Sequence, residues 1–178
     1  MKKSEIRKKI LKIRKSNYSK KIKIDFKSLL KIFKKEKIKG KIIGGYYPYN
    51  YEIDLIEILE ILENKNYIIS LPKIRRKYQM DFFKWSTNDP LAINSLGIPE
   101  PLSKDIIYPN IILVPLVAFD KNLNRVGYGG GFYDRYIKKI KKINKVIVIG
   151  LAYSFQKVKK ISIDKNDMKL DYVVTEKN

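Results

Sequence analysis

Neither cysteine nor histidine occurs among the 178 residues of this chain. The first absence excludes disulfides, thiolate nucleophiles and cysteine-ligated metals. The second removes the commonest zinc ligand and the usual general base near neutral pH. Chemistry is left to carboxylates, lysine, arginine, tyrosine and bound metal, an inventory that suits metal-assisted phosphoryl transfer. No apolar run reaches the ~20 residues that a membrane-spanning helix needs. The basic N-terminus passes into alternating Lys and Ile rather than an apolar signal core, so a cytosolic protein without a membrane partner is expected. The length is read as one domain over residues 1–178, and no internal repeat is visible.

Acidic residues are also scarce, 18 against 39 basic ones, for a net charge of +21. Such a charge invites a nucleic-acid reading, since cationic surfaces attract phosphate backbones irrespective of sequence. The type of base argues otherwise. Only 6 of the basic residues are Arg and 33 are Lys, with Ile and Asn also heavily used, as the codon bias of an AT-rich genome would produce. The lysines run along every expected helix, as in KKEKIKGK and KKIKKINK, instead of gathering in one segment. A solvated coat is the better account, and no specific nucleic-acid partner is expected.

Hydrophobic periodicity gives an alternating order of helices and strands. Residues 3–16 and 20–33 predict two basic amphipathic helices, 41–47 a short strand, and 52–64 a helix carrying Ile53, Ile56, Ile58, Leu59 and Leu62. Residues 67–71 predict a strand ended by Pro72, and the alternating aromatics of 78–85 a strand within a hairpin. Residues 86–110, with four prolines, read as a loop around the sheet edge. Apolar runs at 110–119, 145–153 and 172–175 complete the strands. The expected fold is a three-layer α/β/α sandwich with a mostly parallel, Rossmann-like central sheet.

The densest information lies in FDKNLNRVGYGGGFYDRY, residues 119–136. Gly127, Gly129, Gly130 and Gly131 fall within five positions between a buried strand and an amphipathic helix. Backbone N–H groups and the positive end of the helix then face whatever binds, and phosphate is the leading candidate. The spacing fits neither the Walker form nor G-x-G-x-x-G. Taken by itself, the loop is either a packing turn or a ligand cradle. Its flanks favour the cradle, because Arg125 and Arg135 offer guanidinium groups for phosphate while Asp120 and Asp134 offer carboxylates for magnesium.

The segment VPLVAFDKNLNRVGYGGGFYDRY resembles the signature of the 5-formyltetrahydrofolate cyclo-ligase, or methenyltetrahydrofolate synthetase, family. The similarity extends over nearly the whole chain. Lys3-Ser-Glu-Ile-Arg7 resembles the family's opening Lys-x-x-Leu-Arg, and YYPYNYEID, residues 46–54, its strand ending in a Glu-Val/Ile-Asp/Glu step. MDFFKW, GIPEP, DKNDMKLD and VVTE follow in the family's order and approximate spacing. Val126 replaces a common Leu, and Gly130 stands where some relatives carry Lys.

The resemblance implies ATP-dependent conversion of 5-formyltetrahydrofolate to 5,10-methenyltetrahydrofolate, with ATP as co-substrate and Mg2+ as cofactor. It implies that Lys3, Arg7 and the loop of Arg125, Gly127, Tyr128, Gly129, Gly130, Gly131, Phe132 and Tyr133 contact ATP. Arg125, Tyr133 and Asp134 are its catalytic candidates, Asp134 and Asp167 its magnesium ligands, and Tyr47 and Glu52 hold the folate. Small molecules are the expected partners of a monomer. Plainer readings stand beside these. Lys3 and Arg7 also fit one solvated helix face, and Glu52 fits a first-turn residue stabilised by the helix dipole. Tyr47 also fits a plain packing aromatic, Asp164, Asp167 and Asp171 fit turn formers, and Phe82, Phe83 and Trp85 fit either pterin stacking or core.

Overall fold

The structure, a computed structural model, describes residues 1–19, 22–38 and 40–177. In chain order its elements are α1 (Lys3–Asn17), α2 (Phe26–Lys35), β1 (Ile42–Gly44), α3 (Ile56–Asn64), β2 (Ile68–Arg75), β3 (Gln79–Lys84), β4 (Leu91–Ile93), β5 (Pro99–Pro101), β6 (Ile111–Pro115), β7 (Ala118–Phe119), β8 (Arg125–Val126), α4 (Phe132–Ile140), β9 (Ile147–Leu151) and β10 (Tyr172–Val174). Six strands form the central sheet in the order β10-β9-β6-β1-β2-β3. Every pairing in it is parallel except β2 with β3. This is the expected three-layer arrangement, with α2 and α3 on one face and α4 on the other.

Strand alternation builds the two cores. Ile111 and Leu113 of β6, with Ile147, Ile149 and Leu151 of β9, point toward Leu29 and Phe33 of α2 and Leu59 and Leu62 of α3. Ile112, Val114 and Val148 point the opposite way, toward Tyr136, Ile137 and Ile140 of α4. Helix α1 stands apart from both layers. Ile6 and Ile10 pack on Val117, Ala118 and Val126 of the small β7–β8 ribbon, which lays α1 beside the glycine loop that follows β8.

Several expectations change. The helix expected from 52 begins at Ile56, because Asn50 and Tyr51 take left-handed backbone conformations, φ 49° and 62°. Ile53 is buried from an irregular loop, and its distance of three residues from Ile56 mimics a helical turn. The second helix begins at Phe26, capped by Asp25 accepting from Lys27 N at 3.0 Å; the first two residues of its expected span lie outside the described residues.

Pro72 does not end β2. The neighbouring β1 pairs with β2 only as far as Gly44 opposite Ser70, so beyond that point β2 has a partner on one side alone. Phe82, opposite Pro72, turns its carbonyl away from β2 to accept from Ile107 N at 3.0 Å. Pro72 therefore sits where the ladder asks it for no N–H, the circumstance in which a strand tolerates proline. The 86–110 segment, read as loop, contains the short β4–β5 ribbon.

Candidate active site

The cleft opens where the order of the sheet reverses. From β1 the chain builds β2 on one side and later places β6 on the other, so the loops leaving the C-terminal ends of β1 and β6 diverge. Open α/β sheets bind ligands at such a switch point. Tyr46, Tyr47, Tyr49 and Glu52 after β1, and Pro115 at the end of β6, line a cavity of about 690 Å³. Lys3 and Arg7 of α1, the glycine loop, the first turn of α4, and Asp164 and Asp167 form its polar wall. Pro72, Ile74 and Met80 from the β2–β3 ribbon form an apolar one.

Two arginines donate to main-chain carbonyls of the glycine loop, and two more donate to carbonyls of the segments around it. Arg7 Nε donates to Gly127 O at 2.8 Å, and Arg135 donates to Gly130 O at 2.6 Å and to Tyr78 O at 2.7 and 2.9 Å. Arg125 donates to Met168 O, and Arg14 Nη1 to Leu116 O at 3.2 Å. Gly129 and Gly131 have φ of 107° and 66°, values that a side chain would strain. Gly131 is the N-cap of α4 and makes no side-chain cap bond. The first-turn N–H groups of α4 thus border the cleft without a capping side chain, as an anion site requires.

Three expected phosphate or metal groups are engaged by other parts of the protein. Arg125 is almost wholly buried, and its Nη2 donates to Asp134 Oδ1 at 2.7 Å, so its fork grips protein rather than standing open for a bidentate phosphate contact. Arg135 bridges the glycine loop to the β2–β3 turn and does not line the cavity. Asp120 is buried and accepts from Asn122 N, Asn124 N, Asn124 Nδ2 and Ile161 N at 2.9–3.1 Å. Burial opposes its charge, but these donors outweigh burial and lower its pKa. Asp120 organises the turn into β8 and is no magnesium ligand.

The carboxylates that do face the cleft cluster at its polar end. Asp134 Oδ1 also accepts from Met168 N at 2.9 Å, which joins the first turn of α4 to the 164–168 segment. Lys3 Nζ lies 2.7 Å from Asp164 Oδ2 and 2.5 Å from Asp167 Oδ2, clasping α1 to that segment. No group of three or more carboxylates close enough to share an ion occurs among the described residues. Magnesium held by one or two carboxylates together with substrate phosphates and water does not need one, and Asp134 and Asp167 have the donor chemistry for it.

At the opposite end Glu52 is 5% exposed. Burial raises its carboxyl to about 7, against the opposing influence of Tyr49 N, which donates to Oε2 at 2.9 Å, and of Arg14 and Tyr128. Tyr133 is raised by burial and then by the charge of Glu52, so its hydroxyl is a neutral donor at physiological pH. Tyr46 is also raised, by burial first, and donates to Ile53 O at 3.0 Å. One buried acceptor among tyrosines and aliphatic side chains suits a flat heteroaromatic ring with N–H donors.

Lys3, Arg7, Tyr47, Glu52, Arg125, Asp134, Asp167 and every residue from Gly127 to Tyr133 line this one cavity. Phe82, Phe83 and Trp85 do not; they are core residues, 0–4% exposed. Sequence reading missed Ile74, Met80 and Arg14. The signal for Arg14 was its register, since Ile6, Ile10 and Arg14 follow at intervals of four on the buried stripe of α1.

Comparison with known proteins places relatives beside this geometry. The model of the 5-formyltetrahydrofolate cyclo-ligase family matches residues 1–176. A 5-formyltetrahydrofolate cyclo-ligase of Haemophilus influenzae is 33% identical over 142 residues, 76% of this chain and 75% of that protein. The NMR structure of the Aquifex aeolicus 5,10-methenyltetrahydrofolate synthetase superposes with a TM-score of 0.79 at 32% identity, covering 100% of this chain and 91% of the other. The Mycoplasma pneumoniae 5,10-methenyltetrahydrofolate synthetase gives 0.73 at 26% identity, covering 99% of each chain.

Proposed function

The chain belongs to the 5-formyltetrahydrofolate cyclo-ligase family, and from that membership we infer that it is an enzyme converting 5-formyltetrahydrofolate to 5,10-methenyltetrahydrofolate with ATP. The formyl oxygen takes the γ-phosphoryl group and ADP leaves. Nitrogen 10 then attacks the activated formyl carbon, releasing phosphate with the former formyl oxygen and a proton from the nitrogen. Both nucleophiles come from the substrate. A protein without cysteine or histidine can therefore perform the reaction by alignment and electrostatic stabilisation.

The observation that carries this reading is the polarity of the cleft, with a glycine loop, an uncapped helix start and cations at one end and a single buried carboxylate among aromatics at the other. ATP phosphates lie against Gly127–Gly131 and the first turn of α4, with Lys3 and Arg7 along their outer side. Binding there exchanges the Lys3 ammonium from Asp164 and Asp167 toward phosphate. Asp134 and Asp167 would hold magnesium, which supplies charge neutralisation on the phosphate oxygens. Arg125 acts from behind by fixing Asp134. The pterin enters between Tyr47 and the Ile74–Met80 wall, its N–H groups donating to Glu52, while the Tyr133 hydroxyl donates toward the transferring group. The enzyme is proposed to act in the cytoplasm as a monomer with small-molecule partners only.

A single absorbance experiment tests the function. Methenyltetrahydrofolate absorbs in the near ultraviolet where 5-formyltetrahydrofolate does not, so the band should grow when enzyme, ATP, magnesium and substrate are mixed, one phosphate released per ring closed. Nucleotide binding without growth of the band would overturn the reading.

A further inference from the structure

The GIPEP segment, residues 97–101, forms the turn and second strand of the β4–β5 ribbon. Pro99 and Pro101 have no N–H to give β4, so the ribbon leans on side-chain bonds. Glu100, between them, is 7% exposed and lines the cavity with Ile74, Ile98 and Pro99. Its Oε1 accepts twice, from Ile74 N of β2 at 2.7 Å and from Asn94 Nδ2, just past β4, at 2.8 Å. Because β1 stops at Gly44, Ile74 N has no strand partner on that side, and an N–H left unpaired in a packed wall is costly.

Asn94 carries the connection into the turn. Its Oδ1 accepts from Leu96 N at 2.8 Å and Ile98 N at 3.0 Å, and its carbonyl accepts from Gly97 N at 2.9 Å. Gly97, at φ 76°, closes the turn. Each N–H from residue 96 to 98 is thus bound to Asn94, and Asn94 is bound to β2 through Glu100. Leu96, at the outside of this turn, is 54% exposed and lines the cavity. Ile74 stands four residues beyond Ser70, the last of β2 to pair with β1, or about 13 Å at ~3.3 Å per residue. The turn therefore extends the apolar wall at its outer end, where an apolar part of a ligand would cover the bare half of Leu96.

We propose that Glu100 is a positioning residue that acts through Asn94 to fix the Leu96–Ile98 turn on the cleft wall, where Leu96 covers the aromatic ring that trails from the pterin of the substrate. The identity of that ring rests on the cyclo-ligase reading above, whereas the anchoring of the turn does not. Glutamine has one oxygen that can accept both N–H groups and so can stand in for Glu100, while leucine fills similar space and accepts neither. Loosening the turn removes binding common to the ground and transition states. The KM for the folate then rises, and kcat and the KM for ATP do not follow it.

The test joins amide hydrogen exchange to steady-state kinetics. Exchange at Leu96, Gly97 and Ile98 should quicken by at least about tenfold in Glu100→Leu and return toward the wild-type rate in Glu100→Gln. Leu96→Ala, at a half-exposed side chain, should raise the KM for 5-formyltetrahydrofolate by on the order of fivefold. Glu100→Leu should raise it at least as far, with kcat and the KM for ATP within about twofold of the wild type. The double variant should match the larger single effect rather than the product of the two, because both act through one turn. Should Glu100→Leu fail to fold, Asn94→Ala, at a half-buried residue, takes its place in each comparison. Unaltered exchange at residues 96–98, a wild-type folate KM in Leu96→Ala, or effects that simply multiply would overturn the proposal. Quickened exchange in a protein that closes no ring would leave the anchoring in place and refute the cyclo-ligase reading instead.

Discussion

Glu52→Gln should make the protein more stable as the pH rises while it removes turnover. In the folded chain burial raises the Glu52 carboxyl from its ordinary 4.5 to about 7. Between those values the unfolded chain has lost the proton and the folded chain keeps it, so folding takes up a proton. Stability from this group is accordingly complete below about pH 4.5 and drains away as the pH climbs through 7. A displacement of this size corresponds to roughly 3 kcal/mol, most of it spent between pH 5 and 8.5. Glutamine keeps the size and an oxygen for Tyr49 N but does not titrate. Urea unfolding of both proteins at half-unit steps from pH 5 to 8.5 should therefore show the variant gaining on the wild type with pH, by a few kcal/mol overall. Ring closure should fall by at least about tenfold, equivalent to ~1.4 kcal/mol of transition-state stabilisation. Stability profiles that run parallel across this range would refute the burial of an ionisable carboxylate at position 52.

Three other substitutions probe the polar end. A Cβ at Gly127 would meet nothing within 4 Å, so Gly127→Ala should melt like the wild type, and any rise in its ATP requirement reports nucleotide lying against the loop. Gly129→Ala, at φ 107°, should lose stability before ligand is added, by about 1 kcal/mol, measured by thermal melting. Asp134→Asn should lower turnover by at least about tenfold, with no recovery in a magnesium titration, and should also lower the melting temperature, since the buried Arg125 keeps an oxygen to donate to but loses the charge that pairs with it. Replacing Lys138 and Lys142 by Gln should leave both readouts unchanged, and adding Lys139→Gln, which leaves the buried Asp81 with Arg75 as its remaining cation, should cost about 1 kcal/mol of stability without changing turnover.

The parts of this protein legible in its sequence are those where local chemistry and tertiary demand agree. The glycine loop and α4 each carry one unambiguous backbone need or period and fall where they were expected, whereas the run expected as one strand at 110–119 is divided between β6, Ile111–Pro115, and β7 of the small ribbon. Glu52 and Pro72 were placed wrongly for a common reason. Each was read from its neighbours in sequence, whereas its setting depends on a strand of another segment ending early or on a left-handed turn at Asn50 and Tyr51 that no glycine marks. The roles of charged residues were least legible. Arg125 and Asp120 carry the right chemistry for phosphate and metal, but which way a side chain turns is decided by carbonyls and N–H groups from residues 122–124, 161 and 168. In a chain of 33 lysines the buried Arg14 was hidden among solvated ones.

The four arginines around the glycine loop bear on how this chain can change. With 33 Lys against 6 Arg, lysine is the common cation of this chain and each arginine is an exception to it. Arg7, Arg14, Arg125 and Arg135 all place a guanidinium nitrogen on a main-chain carbonyl. Three of them use other nitrogens of the same group on a second partner. Lysine delivers its charge from a single point and cannot repeat that planar reach. Four of the six arginines thus fix the glycine loop and its supports, while Arg75 and Arg76 lie at the end of the β2–β3 ribbon.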